Sequence, residues 1–203
     1  SKKNPNNNIF VEKSLKSAKM LYNNKKISKT NASMTFPCSS LFFGFNNILL
    51  NDSSYRREFT DSGMFHVEPD SRKSYNSYEK CLKQRNFLLK SKNYHSIGLW
   101  DKQLIEANDR LSEYRQKYFN KLNHEFSLIL ENIKVKIPEI YNDISSLKLV
   151  YMKGWEGDDF NIAFNQNESK DRALGYTSSG THRSDFIVTS MSKPIRESGS
   201  MST

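Results

Sequence analysis

Residues Tyr78–Leu89 read YEKCLKQRNFLL, and the repeat of their apolar positions decides the fold. Starting one turn earlier, Tyr75, Tyr78, Leu82, Arg85 and Leu89 follow at steps of three and four residues, the spacing that lines one face of an α-helix. Leu104, Leu111, Tyr114, Tyr118, Leu122, Phe126 and Ile129 continue the same period in the next segment. The stretch KNYHSIG (Lys92–Gly98) separates the two. Two amphipathic helices joined by a turn, an αα-hairpin with one apolar seam, are predicted. Gln84, Arg85 and Asn86 interrupt the first arm. Such a trio is ordinarily a solvated face, and otherwise a site.

On either side of the hairpin the pattern changes. NDSS (Asn51–Ser54) offers N-cap residues for a short helix from Tyr55 to about His66, ahead of Pro69. Ser1–Asn8 is polar and expected to fray. Ile9 to Ser28 carries short apolar bursts around NNKK (Asn23–Lys26), which reads as a hairpin turn because Asn tolerates positive φ. Phe36 to Leu50, broken by Pro37 and Gly44, reads as strand and loop. After the hairpin, Pro138 breaks the second arm. The period then drops to two at Leu147, Leu149 and Tyr151, KGWEGDD (Lys153–Asp159) turns the chain, and Phe186–Val188 is a further short strand. Strands, a helical excursion and strands again predict an α+β fold, a helical arm inserted into a sheet-containing domain.

Composition narrows the function classes. The 203 residues suffice for one sizeable core, and thirteen Phe, ten Tyr and two Trp argue against a disordered chain. No apolar run approaches the roughly 18 residues of a membrane span, and SKKNPNNNIF has no apolar secretory core. Cys38 and Cys81 form no CxxC, so a reduced, cytoplasmic setting is the default. His66, His95, His124 and His182 have no partner at metal-ligand spacing, and no metal site is expected. A formal net charge of +9 and a pI near 9.4 favour an anionic partner, of which nucleic acid is the commonest; codon bias toward Lys and Asn is the competing explanation.

Two short stretches carry chemistry in principle. In YRREF (Tyr55–Phe59), Arg56 and Arg57 fall near a helix start, where free N–H groups favour an anion and guanidinium suits phosphate. The alternative is solvation or pairing with Glu58 and Asp61. In YTSSGTHRSDF (Tyr176–Phe186), Gly180, His182, Arg183 and Asp185 can position a phosphate or water, or can simply form a turn before a strand. The sequence contains no GxxxxGK[ST] loop, and no Ser-His-Asp or Cys-His grouping has supporting context, so no catalytic residue is expected.

Taken in order, these stretches resemble RecF, a bacterial SMC-like ABC-type ATPase family acting on gapped DNA in recombinational repair. YRREFTD (Tyr55–Asp61) resembles the family's Arg-Arg-x-Phe-Leu-Asp element, and FHVEP follows it. YEKCLKQRNFLL resembles a Tyr-x-x-x-Leu-Lys-Gln-Arg-Asn-x-Leu-Leu helix. WDKQL (Trp100–Leu104) matches the start of the returning helix, and GTHRSDF (Gly180–Phe186) resembles Gly-Pro-His-Arg-x-Asp-Leu. The positions that carry the match are Tyr55, Arg56, Arg57, Phe59, Asp61, Gln84, Arg85, Asn86, Trp100, Gly180, His182, Arg183 and Asp185. Thr181 stands where the family has Pro, and Thr60 where it has Leu. The family's Walker A and Walker B fall outside this stretch of sequence, and SGSMST (Ser198–Thr203) lacks the signature Gly-Gln.

The resemblance implies a partial ATPase head split in sequence, with lobe segments 1–66 and 143–203 flanking a helical arm at 67–142. It implies DNA (single-stranded, gapped or duplex) and RecO- and RecR-like proteins as partners, homodimerisation in the intact member, and ATP with Mg as the family's cofactors. DNA or phosphate contact is expected of Arg56, Arg57, Arg85, His182 and Arg183. The chain alone is expected not to hydrolyse ATP. The competing readings are a helical-arm protein-interaction module and a non-functional remnant of a RecF-like gene.

Overall fold

A computed structural model describes residues 8–13, 18–28, 31, 52–191 and 193–194. The expected strand and loop at Phe36–Leu50, the stretch Ser198–Thr203 and Cys38 lie outside them. The chain divides into two compact units, Ser1–Phe43 and Gly44–Thr203.

In the first unit β1 (Ile9–Lys13), β2 (Ala18–Tyr22) and β3 (Lys25–Lys26) form an antiparallel sheet in sequence order. The expected hairpin turn falls at Asn23 and Asn24, whose φ values of 47° and 64° are those a tight two-residue turn needs.

The second unit opens with α1 (Ser53–Val67), followed by α2 (Ser71–Lys90) and α3 (Ile97–Lys136), the two arms of the predicted hairpin. Asp52 stands at the N-cap of α1 without a side-chain capping bond. Met64 of α1, Tyr78, Cys81 and Leu82 of α2, and Leu104, Ala107 and Leu111 of α3 form one buried cluster. Leu88, Leu89 and Ile97 form a second where the hairpin turns. The single seam expected along the second arm is buried only as far as Phe119. Beyond it Leu122 and Phe126 are half-buried, and Ile129 is 55% exposed. The reason is length: α3 has 40 residues and α2 has 20, which is about 60 Å against about 30 Å.

Ile137, with the non-helical dihedrals φ −144° and ψ 71°, ends α3, and Pro138 opens α4 (Pro138–Ile144), where its missing N–H costs nothing. β4 (Leu147–Met152) alternates half-buried and exposed side chains, as its period of two requires. A bend leads to α5 (Phe160–Gln166), capped by the Asp159 carboxylate accepting from Ile162 N–H at 3.2 Å, and then to α6 (Glu168–Leu174). A short 3-10 turn (Thr181–Arg183) precedes β5 (Asp185–Ser190) and β6 (Lys193–Pro194). β5 pairs antiparallel with β4 from Leu147↔Ser190 to Met152↔Asp185, and β6 extends the sheet. Phe119 of α3 meets Tyr151 of β4 and Phe186 of β5, with ring centroids 5.1 and 6.1 Å apart, which seats the sheet against the middle of the long helix.

Candidate functional site

Between α6 and β5 the chain runs Tyr176–Asp185 through the interior instead of over the surface. Thr177, Ser179, Thr181 and Ser184 are all buried. Buried polar groups need partners, and Thr177, Ser178, the Thr181 backbone and Ser184 find them on α1, α2, α3 and α6.

From α2, Arg85 donates through Nη1 to Thr177 Oγ1 at 2.8 Å and to Asp171 at 2.6 Å, and through Nε to Asp101 at 2.6 Å. Its guanidinium also lies 4.3 Å from the centre of the Phe164 ring. Asn86 Oδ1 accepts from both the amide and the hydroxyl of Thr177, at 2.8 and 2.7 Å. Asp171 Oδ1 accepts from the amide and the hydroxyl of Ser178, at 2.8 and 2.6 Å. From α3, Asn108 Oδ1 accepts from Thr181 N–H at 2.9 Å. Arg115 grips Asp61 of α1 with two bonds of 2.9 and 2.8 Å, and its Nη1 donates to the Thr181 carbonyl and to Ser184 Oγ. From α1, Arg56 forms a fork with Asp185, and Arg57 Nη1 donates to the Ser184 carbonyl at 3.0 Å.

His182 is held at both ring nitrogens. Nε2 lies 3.0 Å from the Thr177 carbonyl oxygen, which can only accept, so Nε2 carries the proton and Nδ1 accepts from the Tyr78 hydroxyl at 2.7 Å. Burial lowers the His182 pKa to about 4 and raises that of Tyr78 to about 12, so the pair is neutral on neutral at physiological pH.

The sequence-predicted residues thus divide. Arg56 and Arg85, read from sequence as phosphate contacts, are 2% and 0% exposed and face carboxylates 100 or so residues away or on the neighbouring helix. Arg56 pairs with Asp185 and not with its neighbours Glu58 or Asp61. His182 is half-buried and bonded, whereas Arg57 is half-buried and Arg183 exposed. Arg57 has its pKa lowered by burial and by the charges of Arg115 and Arg183, against the pull of Asp185 and Asp61, which marks a position crowded with cations. Of the remaining motif positions, Asn86, Asp61, Gly180 and Asp185 join the loop network. Phe59 lies 6.5 Å from the Phe186 ring, Trp100 packs at the hairpin core, and Tyr55 and Gln84 are exposed.

Sequence reasoning passed over Asn108, Arg115, Asp171 and Asp101. A signal existed for two of them: Leu104, Asn108, Leu111, Arg115 and Phe119 lie on one helical stripe, and all five are buried. A polar residue on an apolar stripe points to a buried partner.

No family model matches the chain. Curated relatives named DNA replication and repair protein RecF do. That of Haemophilus influenzae is 33% identical over 152 residues, 73% of this chain and 40% of the relative. Those of Sodalis glossinidius and Vibrio cholerae are 32% and 28% identical over the same length. The chain is a RecF relative. It spans about 40% of the length of the RecF proteins it matches.

Two solved structures share its fold. The recombination mediator protein RecF-ATP in the RecFOR pathway aligns with TM-score 0.64 at 20% identity, over 89% of this chain and 50% of that one. The RecF-ATPrS structure aligns with TM-score 0.68 at 19% identity, over 93% and 53%. The α+β fold is therefore that of part of the RecF head with its helical hairpin. The stretches of this RecF-like chain that carry the sequence resemblance meet in space: Arg56 and Arg57 from the first and Tyr78 from the second bond to the fourth, Gly180–Phe186, Arg85 of the second bonds to Asp101 of the third, and Asp61 of the first reaches the fourth through Arg115. ATP is named with the solved RecF structures. Inside the loop network Arg56, Arg85 and Arg115 are matched to carboxylates, so these three guanidiniums are not available to a nucleotide's phosphates.

Proposed function

We propose that the chain is the arm-bearing part of a RecF-like DNA-binding protein of replication and recombinational repair, with lobe segments 1–66 and 143–203 around an arm at 67–142. In the whole protein, ATP with Mg, dimerisation, RecO- and RecR-like partners and a cytoplasmic location follow from the same reading. The observation that supports DNA contact is where the charge resides. Arg56, Arg85 and Arg115 are matched inside by Asp185, Asp101, Asp171 and Asp61, so the surplus behind the net charge of +9 is carried by the rest of the chain. Arg57 and Arg183, at the rim of the motif loop, are the contacts this reading favours. Because phosphate contacts release counterions, affinity for DNA should fall steeply with salt. Titrating labelled gapped, single-stranded and duplex DNA over a salt series tests it, with Arg57→Ala and Arg183→Ala each reducing the slope by about 1. Absent or salt-insensitive binding overturns the reading. ATP turnover by this chain alone would overturn its companion expectation that the missing phosphate loop leaves it without hydrolysis.

A second reading, a protein-docking arm, has its own support. Leu128, Ile129 and Val135 on the far half of α3 are 45%, 55% and 82% exposed, beyond the reach of α2. Under that reading Leu128→Asp abolishes partner capture and leaves DNA binding intact.

A further inference from the structure

Beside the motif loop lies a cleft of about 810 Å3, walled by the end of β4, the bend after it, α5, α6 and the loop itself. Lys153, Lys170 and Arg183 reach it from three different elements, and Glu156, exposed, is the only acid among the lining residues. Neither Lys170 nor Arg183 forms an ion pair among the described residues. Lys153 meets only the fully exposed Asp158, at 3.4 Å, a contact that water screens. Two of the cations rest on aromatic faces: the Lys153 ammonium is 5.6 Å from the centre of Trp155, and the Arg183 guanidinium 5.6 Å from that of Tyr176. Such seats hold a charge in place without neutralising it. Ser179, which lines the cleft, is 6% exposed and its hydroxyl has no hydrogen-bond partner; the Trp155 indole N–H has none either.

The wall is fixed. Gly180 N–H donates to the Gly154 carbonyl at 3.0 Å, and a side chain on Gly154 would stand 2.4 Å from the Gly180 oxygen, so the bend after β4 and the loop touch backbone to backbone. Three unneutralised cations on a fixed wall, with unpartnered hydroxyl and indole donors behind them, suit a ligand bearing several negative oxygens and a flat ring.

We propose that this cleft binds a phosphate ester, with Lys153, Lys170 and Arg183 on the phosphate oxygens and Trp155 beside the attached group. Arg183 is shared with the rim contacts named above, Lys153 and Lys170 are additional to them, and with nucleic acid as the source of the phosphate the proposal rests on the DNA-binding reading above. A nucleic-acid backbone and a free nucleotide both supply the chemistry, and the test separates them. Binding of a labelled single-stranded oligonucleotide, of ATP and of inorganic phosphate to the 203-residue chain is measured over a salt series. The wild type is compared with Lys153→Ala/Lys170→Ala and with Lys136→Ala, which removes a single charge away from the cleft, on α3, each checked by thermal melt; Lys170→Glu, at an exposed position, is the second cleft variant. For the oligonucleotide, the double variant is expected to lower the salt slope by about 2 and Lys136→Ala to leave the cleft's share unchanged. An oligonucleotide bound with that dependence supports the proposal with nucleic acid as the source. ATP bound with the same dependence and no oligonucleotide bound supports the cleft with a free nucleotide, and ends the DNA reading. An oligonucleotide that binds undiminished in both cleft variants, with its salt slope lowered in Arg57→Ala, keeps the DNA reading and overturns the cleft. Binding of none of the three probes overturns both.

Discussion

Arg56 Nε and Nη2 meet Asp185 Oδ1 and Oδ2 at 2.6 and 2.7 Å, across 129 residues of sequence. This fork ties the fourth residue of α1 to the first of β5, and both side chains are withdrawn from water. Removing one partner leaves the other buried and uncompensated, at a cost of about 3–5 kcal/mol. Arg56→Ala and Asp185→Asn should each lower stability by that order in urea denaturation. Arg56→Met combined with Asp185→Leu should lose less than the two single changes together, and additive losses would show that the pair does not act as a unit.

Arg85 is a different case, because shape matters as much as charge. Its Nε and Nη1 serve Asp101, Asp171 and Thr177 at once while its plane lies over Phe164. Lysine keeps the charge but has neither the fork nor the flat face. Arg85→Lys should therefore destabilise by about 3 kcal/mol, on the order of 10 °C in melting temperature for a chain of this size. A melt unchanged within a degree or two would contradict this geometry.

The Tyr78–His182 pair predicts a pH response of definite sign. The folded imidazole has its pKa lowered to about 4 by burial, whereas in the unfolded chain it titrates near 6.5. Between those values the unfolded state binds the extra proton. Stability is thus fully present above about pH 6.5 and is lost as pH falls toward 4, by at most about 3 kcal/mol. Urea midpoints measured across this window should drop on acidification, and His182→Gln should flatten the curve there.

Gly154 and Gly180 permit the contact between the bend after β4 and the motif loop. Their φ values are +96° and +133°, and a methyl group on Gly180 would sit 2.6 Å from the Tyr78 hydroxyl. Gly154→Ala and Gly180→Ala are each expected to destabilise by more than about 1 kcal/mol, through strain as well as collision. In a Tyr78→Phe background the collision component of Gly180→Ala is removed, so the penalty for Gly180→Ala should shrink there without vanishing. An undiminished penalty would assign the whole effect to backbone strain.

Local patterns were legible in the sequence and distant pairings were not. The 3.6 period announced α2 and α3, Pro138 announced the break between α3 and α4, and the alternation at Leu147–Tyr151 announced β4. Each depends on neighbours within a few residues. What Arg56, Arg85 and Arg115 do depends on acids up to 129 residues away, and no local rule chooses among the available partners. Arg85 shows the ambiguity. It lies on the apolar stripe of its helix, yet beside Gln84 and Asn86 it reads as part of a polar face. Only the fold reveals that Gln84 looks out, Arg85 in, and Asn86 along the boundary toward Thr177.

The unequal lengths of α2 and α3 have a mechanical consequence. Arg115 anchors the long helix at the motif loop, and the helix continues for another 21 residues to Lys136, about 30 Å of rod with no partner helix from the hairpin alongside. A tilt of about 10° at the anchor would sweep the far end through about 5 Å. Phe119 against the sheet and α4 along the far half bear on the same rod, so a rearrangement among Asp61, Arg115 and Ser184 is passed along α3 to both of them.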